Sequence, residues 1–244
     1  MTDQYKNISS SYQEARKSPS TLFLEAPSFI KAVGDVSNKK IIDFACGEGY
    51  YTRILKNLGA NSVTGLDLSP EMIDLAIAQE QQKPLGIKYL VADASKSKII
   101  GQFDIATAVF LFNYAEDIET LKNMLMNVSQ NLKSDGRLVS IVPNPNFVNG
   151  RGDTKPYGYV LEAVAKSSTS IKSKMTFIGD ESFSILFTQW SQYIYESILS
   201  DLGFREVHWS HFTVSEDGIN KYGNEFWITT LNNPKSIILS AIKI

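Results

Sequence analysis

Apolar positions along this chain change their period several times, and each change marks an element. Leu22, Leu24, Phe29, Ile30 and Val33 form a helical apolar face that stops at Gly34. An earlier segment with Tyr5, Ile8, Tyr12 and Ala15 has the same spacing and is broken by Ser18-Pro19-Ser20. From Lys39 onward short apolar runs alternate with helical patterns. Lys40–Phe44, Ser62–Asp67, Ile87–Asp93, Phe103–Phe110 and Arg137–Pro143 read as strands, with helices Tyr51–Leu58, Glu71–Gln82 and Asp117–Leu132 in the intervals. Phe103–Phe110 is nearly all apolar, as a central strand covered on both faces should be. This rhythm predicts right-handed crossovers and a doubly wound, mostly parallel sheet.

The rhythm stops after Pro143. Residues 144–188 contain Pro143-Asn144-Pro145-Asn146, Gly150-Arg151-Gly152, Lys155-Pro156-Tyr157-Gly158-Tyr159 and a Lys/Ser-rich run, Lys166–Lys174. Met175–Ile178 and Ser182–Thr188 then alternate like a hairpin around Gly179-Asp180-Glu181. So long a connection predicts an insertion over the carboxyl edge of the sheet, where α/β folds bind ligands. Ser191–Leu202 reads as a helix, Phe204–Ser210 as a strand and Pro234–Ile244 as a last strand, antiparallel to its predecessor across a turn-rich link. The expected organisation is one domain: 1–38 a helical arm, 39–143 a core, 144–188 a cap and 189–244 the closing helix and strands. The arm either covers a sheet edge or acts as a lid, with Tyr12 and Arg16 on one helix face pointing at a ligand.

Composition narrows the functional classes. The 244 residues are 43% hydrophobic and 20% charged, with a net charge of -2 and a pI near 5.8. Such a chain offers no electrostatic footprint for nucleic acid or an anionic membrane, so a small-molecule acceptor is expected. No apolar run approaches the ~20 residues of a membrane span, and the polar MTDQYKNISS start does not read as a signal peptide. The lone cysteine, Cys46, suits a reducing cytoplasm, and two scattered histidines argue against a metal site. A monomer or homodimer is expected.

Four signals fall at the carboxyl ends of successive strands. Asp43-Phe44-Ala45-Cys46-Gly47-Glu48-Gly49 is a strand, a tight turn and a helix start, whose glycines allow a ligand close to the backbone. Asp67 ends the second strand, about twenty residues on, where a carboxylate can accept ribose hydroxyls. Asp93, with Ala94, can accept the exocyclic amine of adenine, and Phe110 to Tyr114 can wall the adenine or reach the reacting group. Each also has a plain structural reading: Asp43 holding the turn, Asp67 capping a helix, Asp93 shaping a turn. All four on one sheet edge favour a nucleoside-cofactor site.

These segments resemble class I S-adenosylmethionine-dependent methyltransferases. Asp43–Gly49 looks like their glycine-rich first motif and Gly65-Leu66-Asp67-Leu68-Ser69-Pro70-Glu71-Met72 like the acidic segment that follows. Val91–Ala94, Phe103–Ala106 and Asn131–Leu138 resemble later motifs. Ala45 departs from the commonest pattern, which has glycine there. The wording Ala45–Arg53, with Tyr12–Pro19 and Gly179–Phe183, is similar to toxoflavin-synthase-like enzymes of the ubiquinone/menaquinone-methyltransferase-like group.

The resemblance implies S-adenosyl-L-methionine as cofactor, S-adenosyl-L-homocysteine as product, and a seven-stranded sheet with an antiparallel last strand. It implies cofactor contacts from Asp43, Ala45, Gly47, Asp67, Leu68, Met72, Asp93, Ala94 and Phe110, with Tyr12 and Arg16 from the arm. A nicotinamide dehydrogenase fits less well, because Thr52 stands where its third glycine belongs.

Methyl transfer by in-line displacement needs no protein nucleophile, and a base only for a protonated acceptor. Tyr12, Asn113, Tyr114 and Tyr157 are the catalytic candidates, with His208 and His211 more simply ordinary strand residues. The expected acceptor is an aromatic or heterocyclic small molecule methylated on N, O or C without a metal. A silent cofactor-binding homologue, or another reaction such as demethylation or cyclisation in the same pocket, is the alternative.

Overall fold

The computed structural model describes residues 17–96, 98–179 and 182–244. Tyr12, Arg16, the first helical segment and the Asp180-Glu181 turn lie outside the described residues.

The arm residues that are described form a π-helical turn, Thr21–Glu25, continued by α1 (Ala26–Val33), which Gly34 ends at φ 68°. The core then alternates as expected: β1 (Lys40–Phe44), α2 (Tyr50–Asn57), β2 (Ser62–Asp67), α3 (Pro70–Gln82), β3 (Lys88–Val91) and β4 (Phe103–Val109). After a 3-10 turn, Phe112–Tyr114, come α4 (Ile118–Asn131) and β5 (Leu132–Pro143). Asp117 caps α4 by accepting the Thr120 N–H. The chain closes with β6 (Tyr159–Lys166), β7 (Ser170–Phe177), β8 (Phe183–Trp190), α5 (Gln192–Asp201), β9 (Phe204–Ser210), α6 (Glu216–Asn232) and β10 (Ser236–Lys243).

The main sheet has seven strands in the order β3-β2-β1-β4-β5-β10-β9. β1 to β5 run parallel, whereas β10 is antiparallel to both β5 and β9. This is the Rossmann-like methyltransferase architecture, with β1 and β4 at the centre. Because side chains alternate across a strand, two cores form. Ile42, Phe44, Ala106, Ala108 and Leu138 bury one face with Leu121, Leu125 and Val128 of α4 and Tyr195 and Leu199 of α5. Ile41, Val63, Ile105, Val139 and Ile141 bury the other with Phe29 and Val33 of α1, Leu55 of α2 and Trp227 of α6.

Three elements differ from the sequence expectation. The insertion carries a three-stranded antiparallel sheet, β6-β7-β8, not a two-stranded hairpin. The Lys/Ser-rich run is the β6–β7 turn and the first half of β7, where exposed Lys172 and a buried Ser173 hide the usual apolar alternation. The link before β10 contains α6, which a non-helical Gly223 divides, so its periodicity breaks midway. β5 begins at Leu132, running through the expected Ser134–Gly136 turn; there Asp135 takes φ 58° and the pairing with β4 shifts.

Candidate functional site

The parallel strands end on one edge, and the antiparallel β10 begins there. That edge has two halves. Over β1, β2 and β3 lies the glycine turn; over β4, β5 and the start of β10 lies a cavity.

In the first half, the turn after β1 needs a run of left-handed backbone: Ala45 at φ 54°, Gly47 at 57° and Gly49 at 88°. The turn is tied down by Cys46 N–H to the Leu66 carbonyl at 2.8 Å and by Gly49 N–H to the Cys46 carbonyl at 3.0 Å. Asp67 joins it to the next unit, accepting the Gly47 N–H at 2.8 Å on one oxygen and the Ser69 N–H at 2.9 Å on the other.

Asp43 is 1% exposed and sits beneath the turn, accepting hydroxyl protons from Thr52 at 2.6 Å and Thr107 at 2.7 Å. It acts from below as a brace. The pairing explains the geometry, since Asp43 stands beside Thr107 on β4 and beside Gly65 on β2. Gly65 in turn stands beside Tyr89 on β3. A Cβ at Gly65 would come within 2.8 Å of Cys46 Sγ and 2.9 Å of the Tyr89 ring. At Gly49 it would meet the Tyr89 hydroxyl at 2.4 Å, so that glycine makes room for Tyr89 instead of a ligand. Only at Gly47, of these three, would an added Cβ meet nothing within 4 Å among the described residues.

Tyr89 Oη is buried without a hydrogen-bond partner among the described residues, and burial, then the nearby Cys46 thiol, pushes its pKa up. Tyr89→Phe is therefore expected to stabilise the cofactor-free protein by about 1 kcal/mol, as removing an unsatisfied buried hydroxyl does. A fall in melting temperature for this variant would show that the hydroxyl has a partner. Burial also raises the Cys46 thiol well above its ordinary range, reinforced by the charges of Asp67 and Asp43, so it stays protonated and packs.

Leu68 is half-buried at the end of β2, whereas Met72 is 1% exposed, inside α3. Asp93 uses one oxygen to accept the Ser95 N–H at 2.9 Å and hydroxyl at 2.6 Å; its other oxygen lies 3.8 Å from Lys96 Nζ. Ala94 is buried against the core.

The second half is a cavity of about 430 Å³, within the range of small-molecule sites. Its floor is Phe110, Asn113 and Tyr114 beyond β4, Pro143 at the end of β5, and Lys235 and Ser236 at the start of β10. The insertion roofs it with Tyr157, Tyr159, Met175, Phe177, Ile185 and Phe187, and the arm closes one side with residues 17–21 and Glu25. Phe110 holds φ 57°, uncommon for a bulky residue, while its N–H donates to the Ile141 carbonyl at 2.9 Å. It stands where the two halves meet.

Of the catalytic candidates, Asn113 and Tyr114 line this cavity. Asn113 is 3% exposed and its Oδ1 has no hydrogen-bond partner among the described residues. Tyr157 contributes its ring, but its hydroxyl donates to the Phe226 carbonyl of α6. Tyr159 is held as a neutral phenol, raised by burial first and by the Glu25 charge second. His208 and His211 are exposed, on and just after the edge strand β9, and neither lines the cavity.

The sequence reading missed Glu25 and Lys235, which form an ion pair in the cavity wall. Each left a faint signal. Glu25 is a lone acid four residues before the core residue Phe29, and Lys235 directly precedes a strand whose antiparallel direction starts it at the carboxyl edge. Among the described residues, no three His, Cys, Asp or Glu side chains are grouped to hold a metal, and no helix is long and apolar enough to cross a membrane.

Residues 41–136 match a family model described as a methyltransferase domain. A ubiquinone biosynthesis O-methyltransferase of Coxiella burnetii is 32% identical over 113 residues, covering 46% of this chain and 47% of that protein. The chain spans about half the length of the curated relatives it matches. Among solved structures, an S-adenosylmethionine-dependent methyltransferase from Mesorhizobium loti aligns at TM-score 0.66 with 21% identity, over 94% of this chain and 100% of its own. An S-adenosylmethionine-bound amino pentose methyltransferase from Micromonospora echinaspora aligns at 0.62 with 16% identity, over 100% of both chains. The two structures share the fold, and the matched segment contains the turn, Asp67, Asp93 and the entry to β5. On that segment and this topology, residues 41–136 match a methyltransferase domain and the chain has the fold of these solved S-adenosylmethionine-dependent methyltransferases.

Proposed function

We propose that the protein transfers a methyl group from S-adenosylmethionine to a small, flat acceptor held in the cavity over β4, β5 and β10. The observation that carries this reading is the division of one sheet edge into a glycine turn with its acidic row and an adjoining aromatic cavity.

The residues present suit the cofactor. Gly47 leaves the room that a nucleoside or amino-acid tail requires, Asp67 offers acceptors for ribose hydroxyls, and Asp93 and the half-buried Leu68 stand at the neighbouring strand ends. When bound, S-adenosylmethionine supplies an electrophilic methyl group on a sulfonium. The chain's own contribution is to position and to exclude water. Asp43, braced by Thr52 and Thr107, fixes the turn from beneath. The roof of Tyr157, Tyr159, Phe177 and Phe187 shields the acceptor and aligns it. Neither tyrosine of the roof serves as a base: one hydroxyl is bonded to Phe226 and the other is held protonated. An acceptor nucleophile already bearing a lone pair at neutral pH meets this site without one. In this reading residues 17–38 and 144–188 act as the cap that selects the acceptor.

Calorimetry with S-adenosylhomocysteine and mass spectrometry of products from a deuterated methyl donor test the proposal. Cofactor binding at micromolar concentration and a labelled product from a flat heterocyclic acceptor are expected. No binding at millimolar cofactor would overturn it.

A further inference from the structure

We propose that the acceptor is a neutral planar ring with an N–H or O–H donor beside a carbonyl, as on a lactam edge, and that Glu25 and Lys235 together recognise that edge. The proposal rests on the methyl-transfer reading of the site and names the substrate class for it.

The pair is built into the cavity wall. Glu25 ends the π-helical turn Thr21–Glu25, a backbone irregularity frequent at functional sites. Lys235 immediately precedes β10, its backbone carbonyl accepting the Asn144 N–H at 2.9 Å. Their side chains are 5% and 14% exposed, and Lys235 Nζ donates to Glu25 Oε1. The ammonium also lies 5.3 Å from the ring centres of both Phe110 and Tyr159, which fixes its position.

A desolvated ion pair of this kind adds little to stability compared with apolar residues of the same volume. What it adds to a cavity is specificity. The carboxylate accepts and the ammonium donates, side by side, and the complement of that array is a donor next to an acceptor. A free cation would meet the ammonium and a free anion the carboxylate, so the pair disfavours ligands of either sign. The rings of Tyr157, Tyr159, Phe177 and Phe187 supply the flat apolar walls. Ser20 and Asn113 also line the cavity, and their Oγ and Oδ1 atoms are buried with no hydrogen-bond partner among the described residues.

The test titrates 2-quinolone, N-methyl-2-quinolone and 2-methoxyquinoline into the full chain, with and without saturating S-adenosylhomocysteine, and reads binding by calorimetry and ligand-observed NMR. Only the first compound has the donor beside the carbonyl. The wild type is expected to bind it about tenfold more tightly than either blocked analogue. In Glu25→Leu/Lys235→Met, which replaces the pair with apolar side chains, the preference should fall to within about twofold while cofactor affinity is retained. Equal binding of the three compounds by the wild type, or no binding of any at millimolar concentration, overturns the proposal, as does a preference that survives in the double variant. The wild-type series stands if the variant fails to fold. Failure of the methyltransferase reading appears separately, as absent binding of S-adenosylhomocysteine to the wild type.

Discussion

Replacing Asp67 with alanine is expected to weaken S-adenosylhomocysteine binding by about 1–3 kcal/mol, or roughly five- to 150-fold. Two effects add in the same direction. The carboxylate is the proposed acceptor for the ribose hydroxyls, and it also holds the Gly47 and Ser69 N–H groups, so its loss loosens the turn that the ligand must approach. Asp67→Asn separates the two effects. Its one carbonyl oxygen can hold the Gly47 N–H, which preserves the turn but halves the acceptor capacity, and an intermediate loss is expected. Calorimetry on both variants, paired with their melting temperatures, provides the check. Unchanged cofactor affinity in Asp67→Ala would remove this residue from the binding site.

The second large effect concerns the brace beneath the turn. Changing both Thr52 and Thr107 to valine removes two hydroxyl donors from a carboxylate that is 1% exposed. A buried charge that loses two of its donors is strongly destabilised, and a loss of about 3–5 kcal/mol is expected. For a chain of this size each kcal/mol moves the midpoint by about 2–4 °C, so the double variant should melt about 10 °C lower. Thr52→Ser retains a hydroxyl at the same place and should remain within about 1 kcal/mol of wild type. Thermal unfolding followed by circular dichroism measures both. A double variant as stable as wild type would show that Asp43 is braced by other groups.

The second effect follows from one row of residues, Tyr89, Gly65, Asp43 and Thr107, aligned across four neighbouring strands. Each residue is plain in the sequence, but the row depends on the order β3-β2-β1-β4, in which strands distant along the chain lie side by side. This is why Asp43 reads equally well from sequence as a ligand contact or a turn support, and why Gly49 reads as ligand space although Tyr89 fills it. A single chain position does not disclose which neighbour arrives from another strand.

The parallel core was legible because its signals are local. Apolar runs of strand length, helical spacing between them, and small residues at strand ends report themselves within a few positions. The turn after β1, Asp67 and Asp93 thus fall on one edge from local signals alone. The same local logic failed where alternation was masked, at β6 and the first half of β7, and where Gly223 divides α6.

The sequence by itself determined the doubly wound sheet, its antiparallel last strand and the strand-end residues proposed to hold the cofactor, since hydrophobic period and turn chemistry are properties of contiguous residues. Only the tertiary structure decided what the cavity contains. Glu25 and Lys235 are separated by 210 positions and meet because the antiparallel β10 begins where the arm crosses the carboxyl edge. Attraction between two side chains depends on their distance in space, and that distance is set by the packing of the whole sheet.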